Sequence, residues 1–391
     1  MSSKLINHSA DLKRLRDEGY EVEVRGGHLL VHHIPYVNSK SELMFGTLIS
    51  TLNINNERTL KPDTHVIHWM GQHPCNLDGT IMTPIQNATN NQRLFDDVEI
   101  QCTFSNKPAA GYADYYEKII RYVELISAPS YAIDSSATAT TFKVVLCDDT
   151  ESVFHYLDTN SSRANITAIN ERFKGHRIGI IGLGGTGSYV LDSVAKTPVD
   201  EILLFDSDEF LLHNAFRAPG APTVEALNQG YKKVDYFASI YGNMRRGIIP
   251  HAVKITNENT NLLKGLTFVF ICVDSNVARG IIISALQSFG IPFVDVGLGV
   301  EIVEDTLAAT LRSTFGTPEK FDHLAERIGS VDSDDDAYAS NIQIADLNAM
   351  NAVLAVMKWK RYIGFYKDLK GEHHTSYTVN TGQLLHDDFT A

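Results

Sequence analysis

The sequence predicts an α/β protein in which a Rossmann-like nucleotide-binding sheet domain, residues 156–391, follows a smaller α+β domain, residues 1–155. Three observations carry this. Beyond residue 155 short β-branched and aromatic runs alternate with helical patterns, the signature of βαβ units around a mostly parallel sheet. A glycine-rich turn with G-x-G-x-x-G spacing, Gly182 to Gly187, stands between one such run and a helical pattern. Before residue 155 the texture differs: a helix, then a hairpin and a further strand, then another helix, with no repeat.

In chain order, Ser9 to Leu15 reads as a short capped helix ending at Gly19, and Tyr20 to Pro35 alternates about Gly26-Gly27 as a hairpin. Thr64 to Met70 predicts a strand, and Tyr112 to Ile126 places apolar residues at helical spacing. Between them Asn87-Ala88-Thr89-Asn90-Asn91-Gln92 reads as a loop. On the helix, Tyr115, Tyr116 and Tyr122 suit a core or a protein-binding face. A Ser/Thr-rich passage, Ser135 to Thr141, precedes an apolar run, and the polar stretch Asp158 to Arg163 lies just past the boundary near residue 155. The strands of the second domain are expected at Arg177 to Ile181, Glu201 to Phe205, Thr267 to Val273 and Pro292 to Val296.

Composition bounds the function. With 391 residues, 43% hydrophobic and 21% charged, the chain has the make-up of a folded globular protein. A net charge of −13 argues against a protein whose main task is to neutralise nucleic-acid phosphates. No run approaches the roughly 18 apolar residues of a membrane span, and Met1-Ser2-Ser3-Lys4 leads into a polar segment, so a cytoplasmic location is expected. Cys75, Cys102, Cys147 and Cys272 form no C-x-x-C pair, which points to buried reduced thiols. His28, His32, His33, His65, His68 and His73 crowd the first domain, but no spacing selects a metal and they read as strand residues.

The chemistry gathers after Ile181. Gly182, Gly184, Gly185 and Gly187 allow a tight turn and close approach of backbone to phosphate, and the helix from Ser188 to Lys196 presents free N–H groups to the anion. Asp206, at the end of the second strand, is placed to accept hydrogen bonds from ribose hydroxyls. Both features would equally suit a NAD-binding oxidoreductase. Four further motifs separate the two: Asp206-Ser207-Asp208, then Asn214-Ala215-Phe216-Arg217, Gly230-Tyr231-Lys232-Lys233, and Asp274 with Arg279 five residues on.

These four motifs, in this order, resemble the ThiF and ubiquitin-activating-enzyme superfamily over about residues 160 to 391. The leader domain resembles that of a bacterial subgroup with no named role. The resemblance implies that Asp206, Asp208, Asn214, Arg217 and Lys233 bind ATP and that Asp274 holds Mg²⁺. It implies a homodimer packed through the sheet domains, and an arginine from before the glycine strand reaching the partner subunit's phosphates. Arg163 is the match, with Arg172 as the alternative. The substrate implied is a ubiquitin-like protein whose C-terminal glycine is adenylated for transfer to a downstream conjugating protein. Arg217, Lys233 and Mg²⁺ on Asp274 would offset charge as pyrophosphate leaves. Asn214, Arg217 and Lys233 have no natural role around a nicotinamide, and an intact phosphate set argues against a silent ATP-binding scaffold.

One departure stands out. Relatives that form a thioester use a cysteine in the crossover segment, here about Glu301 to Ser340, and this stretch has none. Ser330, Ser333 and Ser340 are the hydroxyls available there, beside an acidic run at Asp332 to Asp336 that reads as a solvated loop. The zinc-binding cysteine pairs of the sulfur-carrier branch are also absent.

Overall fold

The computed structural model describes residues 2–144, 146, 152–328 and 342–389. The chain divides into two compact units, one of residues 1–145 with 157–164, the other of residues 146–156 with 165–391.

In the first unit the helices Ser2–His8 and Ala10–Asp17 lead into a hairpin, β1 (Glu21–Arg25) and β2 (His28–Val37). The sheet then adds β3 (Leu43–Thr51), and a small ribbon of β4 (Ile54–Asn55) and β5 (Arg58–Thr59) precedes β6 (Val66–Met70), β7 (Gln86–Phe95) and β8 (Val98–Ser105). The six-stranded order is β1-β2-β3-β6-β8-β7, antiparallel throughout. The helix Tyr115–Ser127 starts where the Asp114 side chain accepts the Glu117 N–H at 2.8 Å. Its Ile119, Val123 and Ile126 join the core with Leu29, Val31, Leu48 and Trp69. Tyr115 and Tyr122 lie in that core, each with its hydroxyl hydrogen-bonded to backbone, while Tyr116 bonds Glu18.

The segment Asn87 to Gln92, expected as a loop, is part of edge strand β7. It pairs with β8 through three register shifts. Most of its side chains are exposed, so its polar composition reflects the solvent it faces; main-chain pairing to the half-buried β8 makes it a strand.

The second unit is built on eight strands: β9 (Arg177–Ile181), β10 (Glu201–Phe205), β11 (Ile248–His251), β12 (Phe268–Ile271), β13 (Phe293–Val303), β14 (Thr306–Gly316), β15 (Glu372–Thr378) and β16 (Gln383–Phe389). Their order is β11-β10-β9-β12-β13-β14-β15-β16. The first five pair in parallel and the last three extend the sheet antiparallel. The sheet is thus mixed, less parallel than the strand spacing suggests. Helices cover both faces. The helices Gly185–Ala195 and Ala345–Tyr362 bury Val190, Leu191, Ala352 and Trp359 against Ile178, Ile180 and Val294. The helix Asn276–Phe289 buries Ile282 and Leu286 against Ile181, Val269 and Ile271.

Glu301 to Gly316, expected as the start of the crossover, forms the end of β13, the hairpin turn and all of β14, with Val303 opposite Thr306. Ser330, Ser333, Ser340 and Asp332 to Asp336 lie outside the described residues. Among the described residues no helix is long and apolar enough to cross a membrane.

Candidate nucleotide site

The register of the parallel strands builds the site. Ile181, Phe205 and Ile271 stand side by side at the ends of β9, β10 and β12, so Gly182, Asp206 and the Cys272–Asp274 segment leave the sheet along one edge. From β9 the chain goes to β10 on one side and to β12 on the other, which makes this edge the switch point where open α/β sheets bind ligands.

Each glycine of the turn answers to a different constraint. Gly182 has φ +87°, and a Cβ there would come within 2.5 Å of the Cys272 carbonyl oxygen. On Gly187 a Cβ would stand 1.9 Å from the Gly182 carbonyl oxygen, and on Gly185 it would stand 1.9 Å from Asn348 Nδ2. Gly184 is the exception: apart from chain neighbours, nothing lies within 4 Å of its Cβ position. It precedes the helix Gly185–Ala195, whose first N–H groups are open to an anion.

Asp206 turns its carboxylate inward. Oδ2 accepts the Leu183 N–H at 2.7 Å and Oδ1 accepts the Asp208 N–H at 2.8 Å, so the residue expected at the ribose fastens the glycine turn to the end of β10. Lys233, at the start of the helix Lys233–Gly242, is buried and donates to Asp208 Oδ2 at 2.8 Å, with Asp206 Oδ2 3.8 Å away. That hydrogen bond holds the half-exposed Asp208 carboxyl below the usual carboxylate range. Asn214 is 3% exposed and its Oδ1 accepts the Leu211 N–H at 2.8 Å, shaping the turn that presents Arg217.

Arg217 differs from these anchored groups. Its Nε is buried and has no hydrogen-bond partner among the described residues. Burial lowers its pKa, and the charge of Asp274 opposes the shift, which places the two in one electrostatic neighbourhood. His213, one turn earlier, has its pKa pushed down by burial and then by the charges of Arg217 and Lys233. Asp274 is exposed. Its loop is held from behind by Arg279, which donates to the Val273 carbonyl at 2.6 Å and to Asp295 Oδ1 at 2.8 Å. Asp295, fully buried, also accepts from Arg312 at 2.7 Å. Arg279 is therefore an internal anchor.

The structure brings Gly182 to Gly187, Asp206, Asp208, Asn214, Arg217, Lys233 and Asp274 to one edge of the second unit. Arg163 closes the short helix Thr159–Arg163 of the first unit, where Ser162 Oγ donates to Asp17 and Arg16 donates to Ser162 Oγ. Arg172 belongs to the second unit. Cys272 lies one residue past β12, and burial raises its thiol pKa far above the usual range. Sequence reasoning misses Asn348 and Thr186; the signal available is a pair of asparagines, Asn348 and Asn351, three apart on a helical face that also carries Leu347, Ala352, Ala355, Val356 and Trp359. Among the described residues no three His, Cys, Asp or Glu side chains converge as metal ligands. In the first unit His28 stacks on Phe95 and His32 bonds Glu23.

Comparison with known families divides the chain near residue 160. Residues 161–303 match the model of the ThiF family, and residues 10–159 match DUF6791, a domain of unknown function. No curated protein matches the chain. Solved structures similar to it include PaaA, 18% identical over 56% of this chain and 75% of that chain, with a TM-score of 0.43. They also include E. coli MccB with ATP, 16% identical over 59% of this chain and 69% of that one, TM-score 0.45. MccB in complex with N-formylated MccA is 15% identical over 59% and 70% of the two chains, TM-score 0.46. The chain thus carries a ThiF-family domain at residues 161–303 behind a DUF6791 domain at residues 10–159.

Proposed function

We propose that the second unit binds ATP with Mg²⁺ and adenylates a carboxylate, the C-terminal glycine of a ubiquitin-like protein, for transfer to a downstream acceptor. The observation that carries this reading is the buried Arg217 Nε, without a hydrogen-bond partner among the described residues, at an edge where Gly184 leaves room for phosphate. A buried guanidinium N–H without a protein partner, beside open helix N–H groups, fits an anionic ligand.

The charges divide into two groups. Asp206, Asp208 and Lys233 satisfy one another and hold the turn together. Arg217 and Asp274 face the ligand. A carboxylate is already an anion, so its attack on the α-phosphorus needs no general base; the bond from that phosphorus to the bridging oxygen breaks and its electron pair leaves with pyrophosphate. Arg217 and the helix N–H groups would stabilise the charge that builds on the phosphate oxygens, a contribution of about 3 to 4 kcal/mol per well-placed donor. Magnesium suits Asp274, because it takes one or two protein carboxylates and completes its shell with phosphates and water; bound there it would supply Lewis-acid neutralisation of the leaving phosphates. Lys233 would take part by exchanging Asp208 for phosphate. The cytoplasm and a homodimer remain the setting that the family resemblance suggests, with Arg163 as the residue offered to a partner subunit.

Calorimetric titration of the purified chain with ATP and Mg²⁺, and separately with NAD⁺ and NADH, tests the nucleotide. Saturable ATP binding is expected; binding of NADH with ATP excluded would overturn the reading. For the substrate, ATP–pyrophosphate exchange is expected with a ubiquitin-like protein ending in glycine and not after removal of that glycine.

A further inference from the structure

We infer that Asn348, on the helix Ala345–Tyr362, is a positioning residue that sets the backbone of Arg217 and the start of the glycine-turn helix relative to each other. The inference deepens the nucleotide reading of this edge and rests on it for its functional consequence.

Asn348 is 0% exposed, in the first turn of its helix. A carboxamide enclosed by an apolar helix–sheet interface is unfavourable unless its polar atoms find partners. Here they find two separate parts of the site. Oδ1 accepts the Thr186 hydroxyl at 3.1 Å, from the second residue of the helix Gly185–Ala195. Nδ2 points at the Arg217 carbonyl oxygen, 3.5 Å away. The amide also fills the space that a side chain at residue 185 would need, since a Cβ on Gly185 would stand 1.9 Å from Nδ2. The glycine of the turn and the asparagine of a distant helix are therefore one device.

The consequence falls on Arg217. Its Nε has no hydrogen-bond partner among the described residues, so the aim of the guanidinium depends on how the backbone beneath it is held. That peptide is held at two points: the Arg217 N–H donates to the Asn214 carbonyl at 3.1 Å, and its own carbonyl faces Asn348 Nδ2. One turn along, Asn351 Nδ2 donates to the Gly297 carbonyl at 3.0 Å. The same helix thus reaches the start of the helix Gly185–Ala195, the turn at Arg217 and strand β13 at Gly297.

The test uses the full chain with Asn348→Asp, Asn348→Ala and Thr186→Val. The first variant keeps the shape and the acceptor for Thr186 but, once ionised, cannot donate to Arg217; the last removes the Thr186 donor and leaves the Arg217 contact. The primary measurement is the rate at which phenylglyoxal modifies Arg217 without nucleotide, read by peptide mass mapping. Asn348→Asp and Asn348→Ala are expected to raise that rate about fivefold, the fold-change of one ordinary hydrogen bond, and Thr186→Val is expected to leave it at the wild-type value. Titration with ATP and Mg²⁺ should show a matching loss of affinity in Asn348→Asp. An unchanged Arg217 rate in Asn348→Asp overturns the proposal, and so does an equal rise in Thr186→Val, which would mark general loosening. Should Asn348→Ala fail to fold, the other two variants decide. A wild-type chain that bound no ATP would refute the nucleotide reading, while the Arg217 rates would still decide the role of Asn348.

Discussion

Alanine at Gly184 separates a phosphate-binding turn from a turn that merely needs glycine. Gly184 has φ −71° and an extended backbone, a conformation open to L residues, and no atom beyond its chain neighbours lies within 4 Å of the Cβ position. The fold has room for the methyl group. Replacing an unstrained glycine by alanine stabilises a protein by about 0.4 to 1 kcal/mol, because the unfolded chain loses freedom. The unfolding midpoint in urea should therefore hold or rise. On the proposed reading ATP binding should fall, since the methyl group would occupy the surface that the phosphates would approach. Losing one charge-assisted hydrogen bond costs about 1.5 to 3 kcal/mol, a weakening of roughly ten- to a hundredfold. Gly187→Ala is the contrasting case: its Cβ would stand 1.9 Å from the Gly182 carbonyl, a backbone atom that cannot swing aside. Forcing a group into such a site costs about 1 to 3 kcal/mol of stability. Urea unfolding and calorimetric titration with ATP and Mg²⁺ on both variants give the result. A Gly184→Ala protein with wild-type stability and wild-type ATP affinity would refute the reasoning, because no phosphate could then approach this turn.

Asp274→Asn should bind ATP alone much as the wild type does but lose the gain in affinity, about tenfold or more, that Mg²⁺ gives; an undiminished Mg²⁺ effect would remove Asp274 as the metal carboxylate. Acid should destabilise the second unit through His374, which burial first and then Arg327 and Arg312 push down to about 4. A histidine that folds neutral binds fewer protons than the unfolded chain, so its contribution is full above about pH 6.5 and is lost as the pH falls toward 4, about 3 kcal/mol in all. His374→Asn should flatten that part of the pH dependence of urea unfolding, and an unaltered profile would count against it. With ATP, Mg²⁺ and a ubiquitin-like substrate, no dithiothreitol-labile adduct is expected on Cys75, Cys102, Cys147 or Cys272. Burial pushes the Cys102 thiol up to about 12 and raises Cys75 and Cys272 as well; a thiol is a nucleophile only as thiolate. A labile adduct mapped to any of the four would make that cysteine the transfer residue.

What could be read from sequence was whatever the backbone itself imposes. The strands β9 and β10 stand where apolar runs end at Gly182 and Asp206, because a buried parallel strand must be apolar throughout and its ligand-facing end must turn sharply. Edge strand β7 was illegible for the converse reason, since its described side chains from Gln86 to Arg93 are mostly exposed and pairing to the backbone of β8 makes it a strand. The β13–β14 hairpin escaped because its outer residues, Glu301 to Asp305, are exposed and carry no core signal. Within the site, residue type announced charge but not direction. Asp206 and Lys233 look like ligand contacts in one dimension, yet their nearest partners are the Leu183 N–H and Asp208. Spacing cannot show whether a carboxylate faces the ligand or the loop behind it. Asn348, 131 residues from the Arg217 it touches, could be found only once the fold had brought the two together. That pattern has a physical cause: a nucleotide turn needs small residues and charges at fixed spacing, whereas the groups that hold it still are recruited from any element that packs nearby. Among the described residues Arg217 Nε is left without a hydrogen-bond partner while Asp206 and Lys233 have theirs, a difference of environment that residue type and spacing do not carry.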